Sequence, residues 1–313
     1  MHDAVVDQLA SAIAAFINSH ANASGSLTER VARGFSAAYL LQMSKSLTFP
    51  EISTVLRAER ARELGLTHAR AGNLDEASRL IAEARIVSTD ANLTNEALWA
   101  AESFQLAAES YLKYKCRRYG EARADLYGSI ALSIRLGSER GYRMDYRVLH
   151  LARNLVHIEN LLGSKTVALA QAKRLCAFIS GDAAAWPFSE HLRWEHVVVL
   201  DNHERLLAYD DTIGEIALAT AENDGLCLEF TEADFARMDS FLQGWLKAFQ
   251  AYRLGAPTEF LRFAIEHCSA CEVAMPQTRR IIRACLGRLC LRYEQKDLAR
   301  MLEPVMHFDG RGN

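Results

Sequence analysis

The sequence predicts an all-α chain, with N-terminal capping helices followed by a solenoid of about six helical hairpins built from long helices. Three observations predict it. Apolar residues recur with helical periodicity almost throughout, and no stretch alternates with period two. A residue that opens the second helix of each proposed hairpin, small in three of four cases, returns at Ala77, Ala122, Ala168 and Thr212, in steps of 45, 46 and 44 residues; a fixed period of this size marks a stack of like units. Pro50, Pro187, Pro257 and Pro276 all fall at proposed helix starts, where a missing N–H is harmless, and Pro304 falls near the end of the last helix.

Taken in chain order, the first 45 residues do not fit the repeat. They read as two amphipathic helices, Val5 to Ile17 and Thr28 to Met43, joined by a polar linker over 18–26 and expected to cover the open end of the solenoid. The apolar run from Ala10 to Ile17, followed by Ala-Asn-Ala at 21–23, imitates a signal peptide, but Asp3 and Asp7 stand where such a peptide needs basic residues. The repeat domain is expected over 46–306 and a flexible tail over 307–313. Thr48-x-x-Glu51 reads as a capping box. Its helix runs to about Ala71, Gly72-Asn73 turns the chain, and a second helix follows from Leu74 to about Val87. Tyr119-Gly120-Glu121-Ala122 repeats the pattern of Leu74-Asp75-Glu76-Ala77. Further turns are expected near Gly163, Tyr209-Asp210-Asp211, Gly255 and Glu294, and Thr231-x-x-Asp234 supplies a second capping box.

Within residues 50–88, Leu64-Gly65, Gly72, Ala77 and Ala84 fall at the spacings of the tetratricopeptide-repeat (TPR) consensus, which places small residues where two helices cross. This unit resembles a TPR. The resemblance implies a right-handed, TPR-like solenoid whose first helices line a concave groove, and in that family Arg, Lys and Asn on those helices clamp a peptide carboxylate. The period here exceeds the roughly 34 residues of a standard repeat and implies helices of ~20 residues, about 30 Å long. Ligand positions therefore do not transfer from standard repeats.

The bulk properties exclude more than they assert. A net charge of −3 over 313 residues does not suggest nucleic-acid binding. No apolar stretch approaches the ~20 residues that span a bilayer, so no membrane association is expected. Seven cysteines at uneven spacing fit a reducing, cytoplasmic setting. No dinucleotide fingerprint, phosphate loop or nucleophile elbow occurs, so no catalytic residue and no cofactor is assigned. Cys268-x-x-Cys271 followed by Cys285 and Cys290 offers a zinc reading, but residues five apart on a helix point in different directions, and core thiols are the competing explanation.

Charge is uneven. Lys113 to Arg153 carries ten basic residues against four acids, and Asp182 to Asp239 carries fourteen acids against three arginines. Either these are solvated faces with pairing between neighbouring units, or a basic patch lies beside an acidic one. The most informative helix spans about Glu139 to Leu162. Val148, Leu151, Leu155, Ile158 and Leu162 form an apolar stripe, and Arg143, Arg147, His150, Asn154 and His157 line nearly the opposite side. That line is either the exposed face every amphipathic helix has or part of a recognition groove. Trp194, Glu195 and Asn202, on the next first helix, are candidates for the same groove. The expected function is an adaptor or regulator whose groove takes a protein or peptide, with an anionic one or a C-terminal carboxylate best suited to arginine forks. The rival is an enzyme, or an accessory subunit of a biosynthetic pathway, using that groove for a small molecule or peptide substrate. Oligomeric state is not legible.

Overall fold

A computed structural model describes residues 2–22, 27–89, 92–188, 199–221, 235–236, 240–270 and 275–302. Among these residues every regular element is helical: α1 (His2–Asn22), α2 (Leu27–Ser46), α3 (Phe49–Arg70), α4 (Leu74–Thr89), α5 (Asn95–Lys115), α6 (Tyr119–Arg140), α7 (Asp145–Leu161), α8 (Lys165–Ile179), a 3₁₀ turn at Ala183–Ala185, α9 (Asn202–Ala221), α10 (Ser240–Arg253), α11 (Pro257–Ala270), α12 (Pro276–Arg292) and α13 (Lys296–Leu302). No helix among them is long and apolar enough to cross a membrane.

The hairpin turns share one backbone design. In each, the second residue past the first helix is left-handed: Gly72, Arg117, Gly163, Gly255 and Glu294, with φ of 84, 60, 84, 83 and 56°. In each, the following amide donates back five residues, as Asn73 does to His68 O at 2.9 Å and Arg118 to Lys113 O at 2.9 Å. The same bond closes Ser164 on Glu159, Ala256 on Ala251 and Gln295 on Cys290. This geometry satisfies carbonyls left open at a helix end, and the next helix starts one residue later. It joins α3 to α4, α5 to α6, α7 to α8, α10 to α11 and α12 to α13.

The expected turn near Tyr209 is absent: α9 is continuous from Asn202 to Ala221. Asp210 and Asp211 look like turn residues in sequence. Asp210, however, is fully buried, and its carboxylate accepts the N–H groups of Gln277 at 2.8 Å and Thr278 at 2.7 Å, capping the start of α12. Pro187 sits in a turn rather than at the start of a described helix. Pro50, Pro257 and Pro276 occupy first-turn positions of α3, α11 and α12. The capping box at Thr231, Pro304 and the tail 307–313 lie outside the described residues.

The chain forms two compact units, one of Val31–Ala208 and one of Met1–Arg30 with Tyr209–Asn313. In the first, α3 packs on α4 and α5, α5 on α4 and α6, and α7 on α6 and α8. The α3–α4 crossing is tight because Gly65 lacks a side chain: a Cβ there would lie 2.8 Å from Ile81 Cγ1 and 3.2 Å from Ala77 O. Ala58, Ala69, Ala77 and Ala84 are fully buried around it. The α5–α6 crossing uses serines instead: Ser129 Oγ donates to Ser103 O at 2.7 Å and Ser110 Oγ to Ala122 O at 2.8 Å.

In the second unit, α1 packs on α11, α12 and α13, and α10 packs on α11. The stripe Leu9, Ala12, Ile13 and Phe16 on α1 is buried, and Arg279 of α12 donates to the carbonyls of Phe16 and Ser19, each at 3.4 Å. The boundary between the two units falls at 30/31. The amphipathic stripe of α1 is covered by the C-terminal helices; amphipathicity dictates burial without dictating the partner.

Candidate functional site

The helix singled out by its polar line is α7. Four residues of its apolar stripe, Val148, Leu151, Leu155 and Ile158, lie in the core, but the fifth, Leu162, falls just past the helix end and is exposed. The opposite line is not one open face. Arg143, just before the helix, donates to Glu204 Oε2 at 2.6 Å and lies 3.6 Å from Asp201 Oδ2. Those two acids form a reciprocal cap at the start of α9, with Glu204 N on Asp201 Oδ1 at 2.9 Å and Asp201 N on Glu204 Oε2 at 3.0 Å. Arg143 is therefore engaged by that cap.

Arg147 turns inward. Its Nη2 donates to Ser103 O at 3.1 Å, and its guanidinium stacks 3.6 Å from the Phe104 ring centroid. Its Nε is enclosed without a hydrogen-bond partner. Desolvation by burial pulls its pKa down to about 10, so it remains a cation at neutral pH. His157 Nε2 meets Tyr114 Oη at 3.4 Å, with the rings edge-on at 5.5 Å. His150 lies against the Tyr146 ring at 6.2 Å, and Asn154 is partly buried. Arg147 and His157 thus reach across to α5. Asn202 is exposed at the start of α9, and Trp194 and Glu195 lie outside the described residues.

Three residues that belong to no sequence motif complete the surroundings of Arg147. Arg62 on α3 is only 3% exposed, and its Nη1 and Nη2 are enclosed with no hydrogen-bond partner. Burial pulls its pKa down, against the field of nearby Glu59 and Tyr39. Glu59 is pushed up by desolvation in spite of Arg62. Tyr39 of α2 is buried, its hydroxyl bonds to nothing, and desolvation raises its pKa. Its ring packs on Phe104 at 5.1 Å, Tyr142 at 5.6 Å and Phe35 at 5.9 Å. The signal for Arg62 was in the sequence. Val55, Ala58, Arg62, Gly65 and Ala69 follow steps of three and four and are all buried, so a charge interrupts the small-residue stripe of α3.

The basic excess over 113–153 is largely paired locally. Lys113 meets Asp125, Arg118 meets Glu121, Arg123 meets Glu159, Arg135 meets Glu139 and Arg140 meets Glu96. Arg135 also stacks on Trp99 at 3.7 Å. Pairing on and between neighbouring helices therefore accounts for five of the ten basic residues of this segment, and Arg143 is held by Glu204.

Cys268, Cys285 and Cys290 are buried free thiols, and burial pushes Cys285 up to about 12. Cys271 lies outside the described residues. Among the described residues no three His, Cys, Asp or Glu side chains gather to hold a metal ion. Buried His267 is pulled down to about 4 by desolvation, with Arg279 adding to the shift.

Compared with known proteins, the chain matches no family model, no curated protein and no solved structure.

Proposed function

We propose that this chain is a TPR-like helical-repeat protein that acts as an adaptor or regulator, binding a protein or peptide partner along a groove lined by α3, α5 and α7. The observation that carries this reading is the lateral linkage of these three helices, each the first of its hairpin. Glu51 of α3 accepts from Thr94 at the start of α5, and Arg147 and His157 of α7 reach onto Ser103 and Tyr114 of α5. First helices side by side, with polar groups turned toward one another, are what a recognition groove of this class requires. The turn repeated through five hairpins supports the reading of like units. An anionic partner is the best fit, because the polar groups gathered there include arginines.

The test is capture of a partner from a lysate with the full chain, followed by binding measurements on His150→Ala/Asn154→Ala. These two residues sit on the polar line of α7 and are distinct from the arginines held by Glu204 and Ser103. Binding weakened about tenfold or more, and weakened further as salt is raised, supports the groove. Unchanged binding by the double variant, with loss on Arg79→Ala/Arg85→Ala of α4, would move the site to the second helices and overturn the reading.

A further inference from the structure

Arg62, Arg147 and Tyr39 present hydrogen-bond donors that nothing among the described residues accepts. Arg62 has both terminal nitrogens enclosed and unbonded, Arg147 has its Nε so, and the Tyr39 hydroxyl bonds to nothing. An arginine at neutral pH cannot relieve burial by losing its proton. An enclosed cation without a hydrogen-bonded counterion is among the least favourable arrangements a fold can keep. Glu59 is near enough to be felt by Arg62 and Arg147, yet no hydrogen bond joins it to Arg62.

We infer that Tyr39, Arg62 and Arg147 form a binding site for a small oxyanion, a carboxylate or a phosphate-type group, which accepts from both guanidinium groups and from the phenol. The chemistry selects the class. The unsatisfied groups on these side chains are donors, so a cation or an apolar ligand would leave all of them unmet. The planar guanidinium fork matches the paired oxygens of a carboxylate or phosphate. The walls are rings: Phe104 lies under the Arg147 guanidinium, Phe35 and Tyr39 pack on Phe104, and Tyr142 packs on Tyr39. Such walls exclude water and strengthen a charge-assisted bond. Because the Arg62 nitrogens are enclosed, binding requires the side chains around them to shift. The Tyr39 ring is held by packing alone, on Phe35, Phe104 and Tyr142, since among the described residues no hydrogen bond anchors its hydroxyl. The site rests on the groove reading only for the larger molecule that carries the oxyanion; the site itself lies within the Val31–Ala208 unit and stands without it.

The site also predicts an opposition between stability and binding. In the absence of ligand, Arg62 burdens the fold, so replacing it with an apolar side chain of similar length relieves that burden and removes the site. The experiment is thermal melting of the full chain with inorganic phosphate, with acetate, and with chloride at matched ionic strength. For the parent, phosphate or acetate at about 100 times its Kd raises Tm by about 5–10 °C, and chloride does not. The anion that acts at the lower concentration identifies the source chemistry. Arg62→Met melts at least about 2 °C above the parent without anion and has lost the anion-dependent rise. If Arg62→Met does not fold, Tyr39→Phe and Arg62→Lys take its place, and each must reduce the rise at least threefold in apparent affinity. A parent insensitive to both anions overturns the inference, as does a full rise retained in the variants. His150→Ala/Asn154→Ala separates the two readings. If it abolishes partner binding and keeps the anion response, both stand. If it leaves partner binding intact and the anion response persists, the groove fails and the oxyanion site remains.

Discussion

Glu51 and Arg62 lie on the same helix, are both buried, and differ in whether their charge is met. One Glu51 oxygen accepts from Thr48 N at 2.9 Å and Thr48 Oγ1 at 2.7 Å; the other accepts from Thr94 N at 2.9 Å and Thr94 Oγ1 at 2.6 Å. That carboxylate joins the starts of α3 and α5. The Arg62 terminal nitrogens, further along α3, bond to nothing. A charge with four donors is a structural joint. A charge with no acceptor is a burden that the fold tolerates, and function is the most economical reason to retain it.

Breaking the joint has the largest expected effect. Glu51→Ala leaves four donors without their acceptor and should destabilise by about 2–4 kcal/mol, read as the shift in a urea unfolding midpoint at constant m. Its hydrogen bonds from Thr94, and then those from Thr48, hold the Glu51 carboxyl at about 2, below its ordinary 4.5. A depressed pKa contributes stability that is complete above the unfolded value and is lost as pH falls through the folded one. Parent stability should therefore decline between pH 4.5 and 2, and Glu51→Gln should flatten that part of the curve. If the variant keeps the parent's acid slope, other carboxylates dominate and the joint matters less than its geometry suggests. Arg62→Met sharpens the comparison, because it is expected to move stability in the opposite direction.

The helix crossings come next. Ala77 and Ala122 are fully buried, Ala77 O lies 3.2 Å from where a Cβ on Gly65 would stand, and Ala122 O accepts from Ser110. Ala77→Leu and Ala122→Leu should each overpack a crossing and destabilise by about 1–3 kcal/mol, measured by thermal or urea melts. Parent-like melts for both would mean that the register of α3 on α4 and of α5 on α6 is wrong.

What was legible in the sequence follows the range of the interaction. The Thr48–Glu51 box is local and could be read directly, whereas the partner of the second Glu51 oxygen is 43 residues away and left no local trace. The stripe of α1 announced burial but not the C-terminal helices that provide it. Asp210-Asp211 resembled a turn because the two uses of an aspartate, turning its own chain and capping another helix, look alike in one dimension. Arg62 was legible as a charge inside a small-residue stripe, yet attention to the polar face of α7 passed it over. Of that face, Arg147 belongs to the buried cluster, and Arg143 is held by a cap whose acids lie on a different helix.

The smallest expected effect concerns the repeated turn, and it compares glycine with other residues at one backbone position. Gly72, Gly163 and Gly255 supply the left-handed residue without a Cβ, but Arg117 and Glu294 adopt it with one, at φ of 60 and 56°. An L-residue in that region costs roughly 1–2 kcal/mol relative to its preferred conformations. Replacing it with glycine removes that strain but adds about 0.4–1 kcal/mol of unfolded-state entropy. The difference should leave Arg117→Gly more stable than the parent by about 0.5–1 kcal/mol. The Arg117 side chain is exposed, so little else changes. The converse, Gly72→Ala, should destabilise by a similar amount although a Cβ there would meet nothing within 4 Å, because the strain lies in the backbone rather than in a clash. Paired urea melts read both signs. If Arg117→Gly proves less stable than the parent, the side chain of Arg117 makes a favourable contact, and the turn after α5 is held by more than its backbone.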